Sequence, residues 1–160
     1  MKHILSKILI TVTCLELLLP IQAIKAQSAT GRGRLVLDYH ELKGLLLKHE
    51  RTVTNILSRK RFKLVLSKKG PEGTLYTYKK ESGVSQLVIR VRKSDELVSE
   101  IAWHENLETF GTLTHDAVND GFVPVGGNGQ YYNRFHNTAL FVYHDFSDDS
   151  AIPCALRVVQ

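Results

Sequence analysis

Outside its first 26 residues the chain carries six histidines, at His40, His49, His104, His115, His136 and His144, and a single cysteine, Cys154. Imidazoles are natural candidates for metal ligation or proton transfer near neutral pH. The four in the second half of the chain, His104, His115, His136 and His144, lie beside Glu105, Asp116, Asn137 and Asp145. A zinc centre needs three or four converging ligands, and the local spacings that announce one, HExxH or HxH, do not occur. Cys154 alternates in step with Ile152, Leu156 and Val158, the pattern of a buried, inert thiol rather than a nucleophile. GGNG at 126–129 has neither the following helix nor the lysine of a phosphate loop and is expected to be a hairpin turn. No GxSxG motif, carboxylate pair or activated cysteine stands out. The sequence therefore predicts no enzyme, no metal and no cofactor, with a metal-dependent hydrolase built on the histidines as the lesser alternative.

Charge is the sharper signal. Residues 27–94 hold sixteen basic and five acidic side chains, whereas residues 95–160 hold two basic and ten acidic. Such a split suits an anionic partner for the first half, or attraction between unlike halves. In the basic half, strand alternation with Leu64, Leu75 and Ile89 turned inward predicts an outer sheet face shared by Lys63, Tyr76, Tyr78, Arg90 and Arg92. Those five are the candidate ligand-binding residues, because cationic groups interleaved with aromatic rings can hold an acidic protein patch or an anionic glycan or phosphate polymer. The competing expectation turns Tyr76 and Tyr78 toward the core. Nucleic acid is not expected, since no glycine-aromatic fingerprint of an RNA-binding sheet is present.

These residues must be positioned by regular elements. Residues 38–59 place Leu42, Leu45, Leu46, Val53, Ile56 and Leu57 at three- and four-residue intervals, which predicts one helix. Asp38 with Glu41 three residues later forms a capping box. From Phe62 the period changes to two, with Phe62, Leu64 and Leu66 on one face. Three further strands follow at TLYTYKK, QLVIRVR and LVSEIAWH. The same order then restarts, with a helix over 105–120 and strands near 122–126, 130–136, 138–146 and 152–159. The expected fold is α+β, two αββββ repeats of about 60 residues that form one antiparallel sheet with the helices on one face.

The first 26 residues read as a signal peptide: Lys2 and Lys7, an apolar run over 8–19, Pro20, and small residues at Ala23 and Ala26. The span 8–24 contains Glu16 and falls short of the ~20 apolar residues of a membrane-spanning helix, so an uncleaved anchor is the alternative and the mature chain should have no transmembrane span. Thr11, Val12 and Thr13 before Cys14 do not make a lipoprotein box. Residues 27–94 form the basic repeat, its fourth strand running to about 103, and 104–160 the acidic one. With Cys14 removed, Cys154 has no disulfide partner.

The repeated order, carried by Arg61-Phe62 and Gly121-Phe122, the YTY and YY pairs and the glycine turns, resembles exported bacterial tandem-repeat proteins of uncharacterised function. Its coarse architecture is similar to that of the secreted beta-lactamase inhibitor protein, whose repeats carry disulfides this chain cannot form. The resemblance implies a periplasmic or extracellular protein that binds a partner with a sheet. The reading is thus an exported, non-enzymatic binding module for an acidic protein or anionic envelope polymer. Its rival is a structural envelope protein that self-associates head to tail, acidic half against basic half.

Overall fold

The computed structural model describes residues 37–82, 85–126, 129–143 and 151–159. The expected signal segment, with Cys14, lies outside them, as do His144, Asp145, Gly127 and Asn128. The described chain is α+β. Helices α1 (Tyr39–Lys43) and α2 (Glu50–Arg59) precede strands β1 (Phe62–Gly70), β2 (Gly73–Lys80), β3 (Gln86–Arg92) and β4 (Val98–Glu105). Helix α3 (Leu107–Asn119) then precedes β5 (Val123–Pro124), β6 (Gln130–Asn133), β7 (Thr138–Val142) and β8 (Ile152–Val158). All eight strands join one antiparallel sheet in the order β1-β2-β3-β4-β8-β7-β6-β5.

The helix expected over 38–59 is broken in two. Its start is as read: Asp38 accepts the Glu41 N–H at 2.8 Å and donates its own N–H to the Glu41 carboxylate at 3.2 Å. After Gly44 the chain leaves the helix because residues 47–49 find partners on the strand side. The Leu47 N–H donates to Val98 O, the Val98 N–H donates to Lys48 O, and His49 bridges Leu97. Those tertiary hydrogen bonds, with Leu47 at φ 58, replace the turns that a continuous helix would have made. Periodicity survives the break, since Leu42 before it, Leu45 within it and Val53 and Leu57 after it are all buried.

One apolar cluster unites helices and sheet. Leu42, Val53 and Leu57, with Leu113 and Ala117 of α3, join Leu87, Ile89 and Val91 of β3 and Ile101 and Trp103 of β4. From the other half come Leu140 and Val142 of β7 and Cys154 and Leu156 of β8. Register aligns these across the sheet: Leu87 lies opposite Trp103, Trp103 opposite Cys154, and Leu156 opposite both Ile101 and Leu140. Alternation then places Val88, Arg90, Arg92, Glu100, Ala102 and Ala155 on the reverse face.

Two expectations fail on β1 and β2 for reasons of register. A bulge between Leu64 and Leu66 puts Leu64 opposite Tyr78 and Leu66 opposite Thr77, so these leucines do not share a face. Leu75 pairs with Arg90 and therefore lies on the reverse face rather than in the core. Two glycines hold the sheet's tightest approaches. A Cβ on Gly73 or on Gly129 would overlap the carbonyl oxygen of Val91 or of Val142, and both residues have positive φ, +147 and +66.

Candidate functional site: the lysine-rich edge of the sheet

The five residues expected on one outer face are divided by the pleat. Tyr78 lies opposite Leu87, is 2% exposed, and brings its hydroxyl within 2.8 Å of Thr54 Oγ1 on α2. Burial, partly offset by that hydrogen bond, pushes its hydroxyl above the usual phenolic range. Tyr76 lies opposite Ile89 and packs against the same core. Both rings face the helices, and the expectation that they share a face with the cations is corrected. Lys63, Arg90 and Arg92 do lie on the reverse face.

Each of those three cations is already engaged. Arg90 donates from Nε to Glu100 at 3.1 Å and from an Nη to Glu72 at 2.9 Å. The Glu100 side chain is only 4% exposed, so Arg90 neutralises a carboxylate that is almost out of solvent. Arg92 forks onto Asp95 through two hydrogen bonds, at 3.1 and 2.6 Å. Lys63 pairs with Glu81 at 3.0 Å. Arg157 lies across from Glu100 in the β4–β8 register and itself makes no ion pair among the described residues.

Exposed cations without an ion pair among the described residues include Lys48, Arg51, Arg59, Arg61, Lys93 and Arg134, and a further group gathers at the edge of the sheet. Among the described residues Lys68, Lys69 and Lys79 are exposed and enter no ion pair, and all lie in the β1–β2 hairpin. Strand β1 is the outermost strand. Of its nine residues only Phe62 is buried. Leu64, Val65 and Leu66 are exposed by 46%, 52% and 50%, an apolar run that α2 and the sheet leave uncovered. The opposite edge, β5, has two residues, one of them Pro124, which has no N–H to offer a further strand. The sequence reading left Lys68 and Lys69 out of the site and turned Leu64 inward, because nothing in a strand's own alternation tells whether it ends a sheet.

Carboxylates of the acidic half are engaged as well, one with the basic half and one locally. Asp120, after α3, accepts from the Tyr39 hydroxyl at 2.6 Å and from Lys43 Nζ at 2.5 Å, tying α1 to the end of α3. Partial burial works to raise the Asp120 carboxyl, but the hydrogen bonds from Lys43 and Tyr39 outweigh it and hold it below the usual carboxylate range. Burial first, then the hydrogen bond to Asp120, pushes the Tyr39 hydroxyl far above the phenolic range. Glu105 is buried and accepts from Trp103 Nε1 at 3.3 Å, the Asn106 N–H at 3.2 Å and the Thr109 hydroxyl. Cys154 is 1% exposed, and burial, with Glu105 adding to it, pushes its thiol well above the ordinary value. His104 is half-buried and held toward the neutral form by desolvation.

Among the described residues no three or more His, Cys, Asp or Glu gather closely enough to hold a metal ion, and no helix is long and apolar enough to cross a membrane. No family model, no curated protein and no solved structure matches the chain.

Proposed function

We propose that the protein is an exported, non-enzymatic binding module of two αββββ repeats, whose basic half holds an acidic protein or an anionic envelope polymer. The observation that carries this is the pairing pattern of the cations. Acids tie up Arg90 and Arg92 on the reverse face, while among the described residues Lys68, Lys69 and Lys79 stay exposed without an ion pair beside an apolar run on the edge strand. Side chains with no internal partner, next to apolar surface with no internal cover, are what an external ligand requires. Removal of residues 1–26 before the module works belongs to the same proposal.

The repeat reading draws on positions sixty residues apart. Val53 and Leu113, Leu57 and Ala117, and Phe62 and Phe122 are buried pairs at that offset. The residues before the two phenylalanines, Arg61 and Gly121, both adopt positive φ, 64 and 90. The last strand of each half, β4 and β8, meets the other at the middle of the sheet.

A second reading, head-to-tail self-assembly, is favoured by one feature: the two sheet edges, β1 and β5, belong to the oppositely charged halves. The test is a salt-resolved titration of the full chain against polyglutamate, beside sedimentation of the chain alone. The binding module predicts retention that collapses toward 1 M salt, where the screening length is about 3 Å, and a sedimentation rate independent of protein concentration. Concentration-dependent growth without retention would move the function to assembly.

A further inference from the structure

We infer that the outer edge of β1, over residues 66–70, is a strand-addition site for an extended, acidic segment of a partner protein. This rests on the binding-module reading and specifies its mode. Past the bulge at Val65 the strand is regular: Leu66 to Gly70 pair in unbroken register with Thr77 to Gly73 on the inner side, and no strand pairs with their outer side among the described residues. An incoming strand would find main-chain donors and acceptors over about 17 Å, the length of an ordinary strand. It would also cover the half-exposed Leu66, next to Leu64 and Val65 at the end of the site.

Charge selects the occupant. Lysines on an exposed edge repel an identical edge. Two copies joined through β1 would bring Lys63, Lys68 and Lys69 against the same lysines. Joining β1 to the other edge of a second copy offers only the two residues of β5, one of them Pro124. A strand from another protein with carboxylates at alternate positions meets neither obstacle. Lys68 lies opposite Leu75 and Lys69 opposite Thr74, so the two project to opposite faces of the sheet. Acidic side chains on either face of an added strand would meet a lysine.

The test uses the full chain and a blocked ten-residue peptide alternating glutamate and valine. A control peptide replaces every valine with proline, which keeps the charge but removes the amide donor at every second position and fixes φ there away from the strand value. Residue-resolved amide exchange is followed with each. The expected result is slowed exchange within 66–70 with the glutamate-valine peptide and at least about tenfold weaker binding of the proline peptide. The variant K68E/K69E, altered only at exposed positions, should bind the first peptide about tenfold or more weakly. Equal, salt-sensitive binding of both peptides without protection would overturn strand addition and leave the acidic-partner reading standing. Failure of both peptides and of polyglutamate would overturn both. Protection within 66–70 that grows with the chain's own concentration would make the occupant a second copy and overturn the acidic partner strand.

Discussion

Replacing Arg90 with methionine removes the only cation hydrogen-bonded to Glu100 among the described residues while keeping most of the side-chain volume. Glu100 is 4% exposed on its side chain and Arg90 16%, whereas Glu72, the second partner of Arg90, is 44% exposed. Two unit charges about 4 Å apart interact by about 4 kcal/mol at an effective dielectric constant of 20. Stripping one partner from a buried pair costs about 3–5 kcal/mol, because the remaining charge is left uncompensated. Arg157 stands across from Glu100 and can relieve part of that, which sets the expectation for R90M at about 3 kcal/mol. The exposed partners behave differently. E72Q should change stability by less than about 1 kcal/mol, and R92M, which breaks a pair with an Asp95 that is 38% exposed, by a similar amount. Urea unfolding reads the difference directly. With a slope of about 1–3 kcal/mol per molar, R90M should lower the midpoint by about 1–3 M and the other two by a few tenths to about 1 M. Retention on polyglutamate by folded R90M should match that of the unsubstituted chain. A midpoint for R90M within error of the parent, with retention lost, would show that Arg90 serves a ligand and would refute its assignment to the fold.

Three further outcomes follow from the same contacts. The lowered Asp120 carboxyl contributes stability that is present above about pH 4 and is lost as pH falls through its folded-state value, and the raised Tyr39 hydroxyl contributes stability that is lost as pH rises above about 10. D120N should therefore flatten the acid limb of the stability profile and Y39F the alkaline limb, each costing about 1–3 kcal/mol at neutral pH by chemical denaturation. G129A and G73A should each destabilise by about 3 kcal/mol or more, since a Cβ must displace the carbonyl of Val142 or Val91 from a backbone already at positive φ; a loss below 1 kcal/mol at both would show that these approaches relax freely. The native Cys154 thiol should label with a disulfide reagent only at the rate of unfolding, as measured by stopped labelling over a urea series.

What the sequence disclosed and what it hid separate along the range of the interactions. Local signals held. The Asp38–Glu41 capping box, the alternation of β3, the buried step of Cys154 and the order of elements each depend on neighbours a few residues away. The break after Gly44 was hidden because residues 47–49 exchange helical hydrogen bonds for partners at 97 and 98, about fifty positions on. The candidate site suffered most. One extra residue at Val65 decides which leucine faces the core, and nothing in FKLVLSKKG signals it. Lys63, Arg90 and Arg92 were placed on the right face, but their charge is spent on Glu81, Glu72, Glu100 and Asp95, carboxylates whose proximity depends on strand register and turn geometry. Tyr76 and Tyr78 went to the core because Ile89 and Leu87, their cross-strand partners, did.

The central claim is that an acidic partner is held through the lysines of the β1–β2 hairpin and not through the arginines of the reverse face. Its most direct test is capture of the tagged full chain from its own cells, in parallel with K68E/K69E and R92M, eluted with a salt gradient and analysed for protein, sugar and phosphate. The expected result is one stoichiometric acidic partner that co-elutes with the parent and with R92M and is absent from K68E/K69E. Retention of the same partner by K68E/K69E, or its loss from R92M alone, would contradict the account.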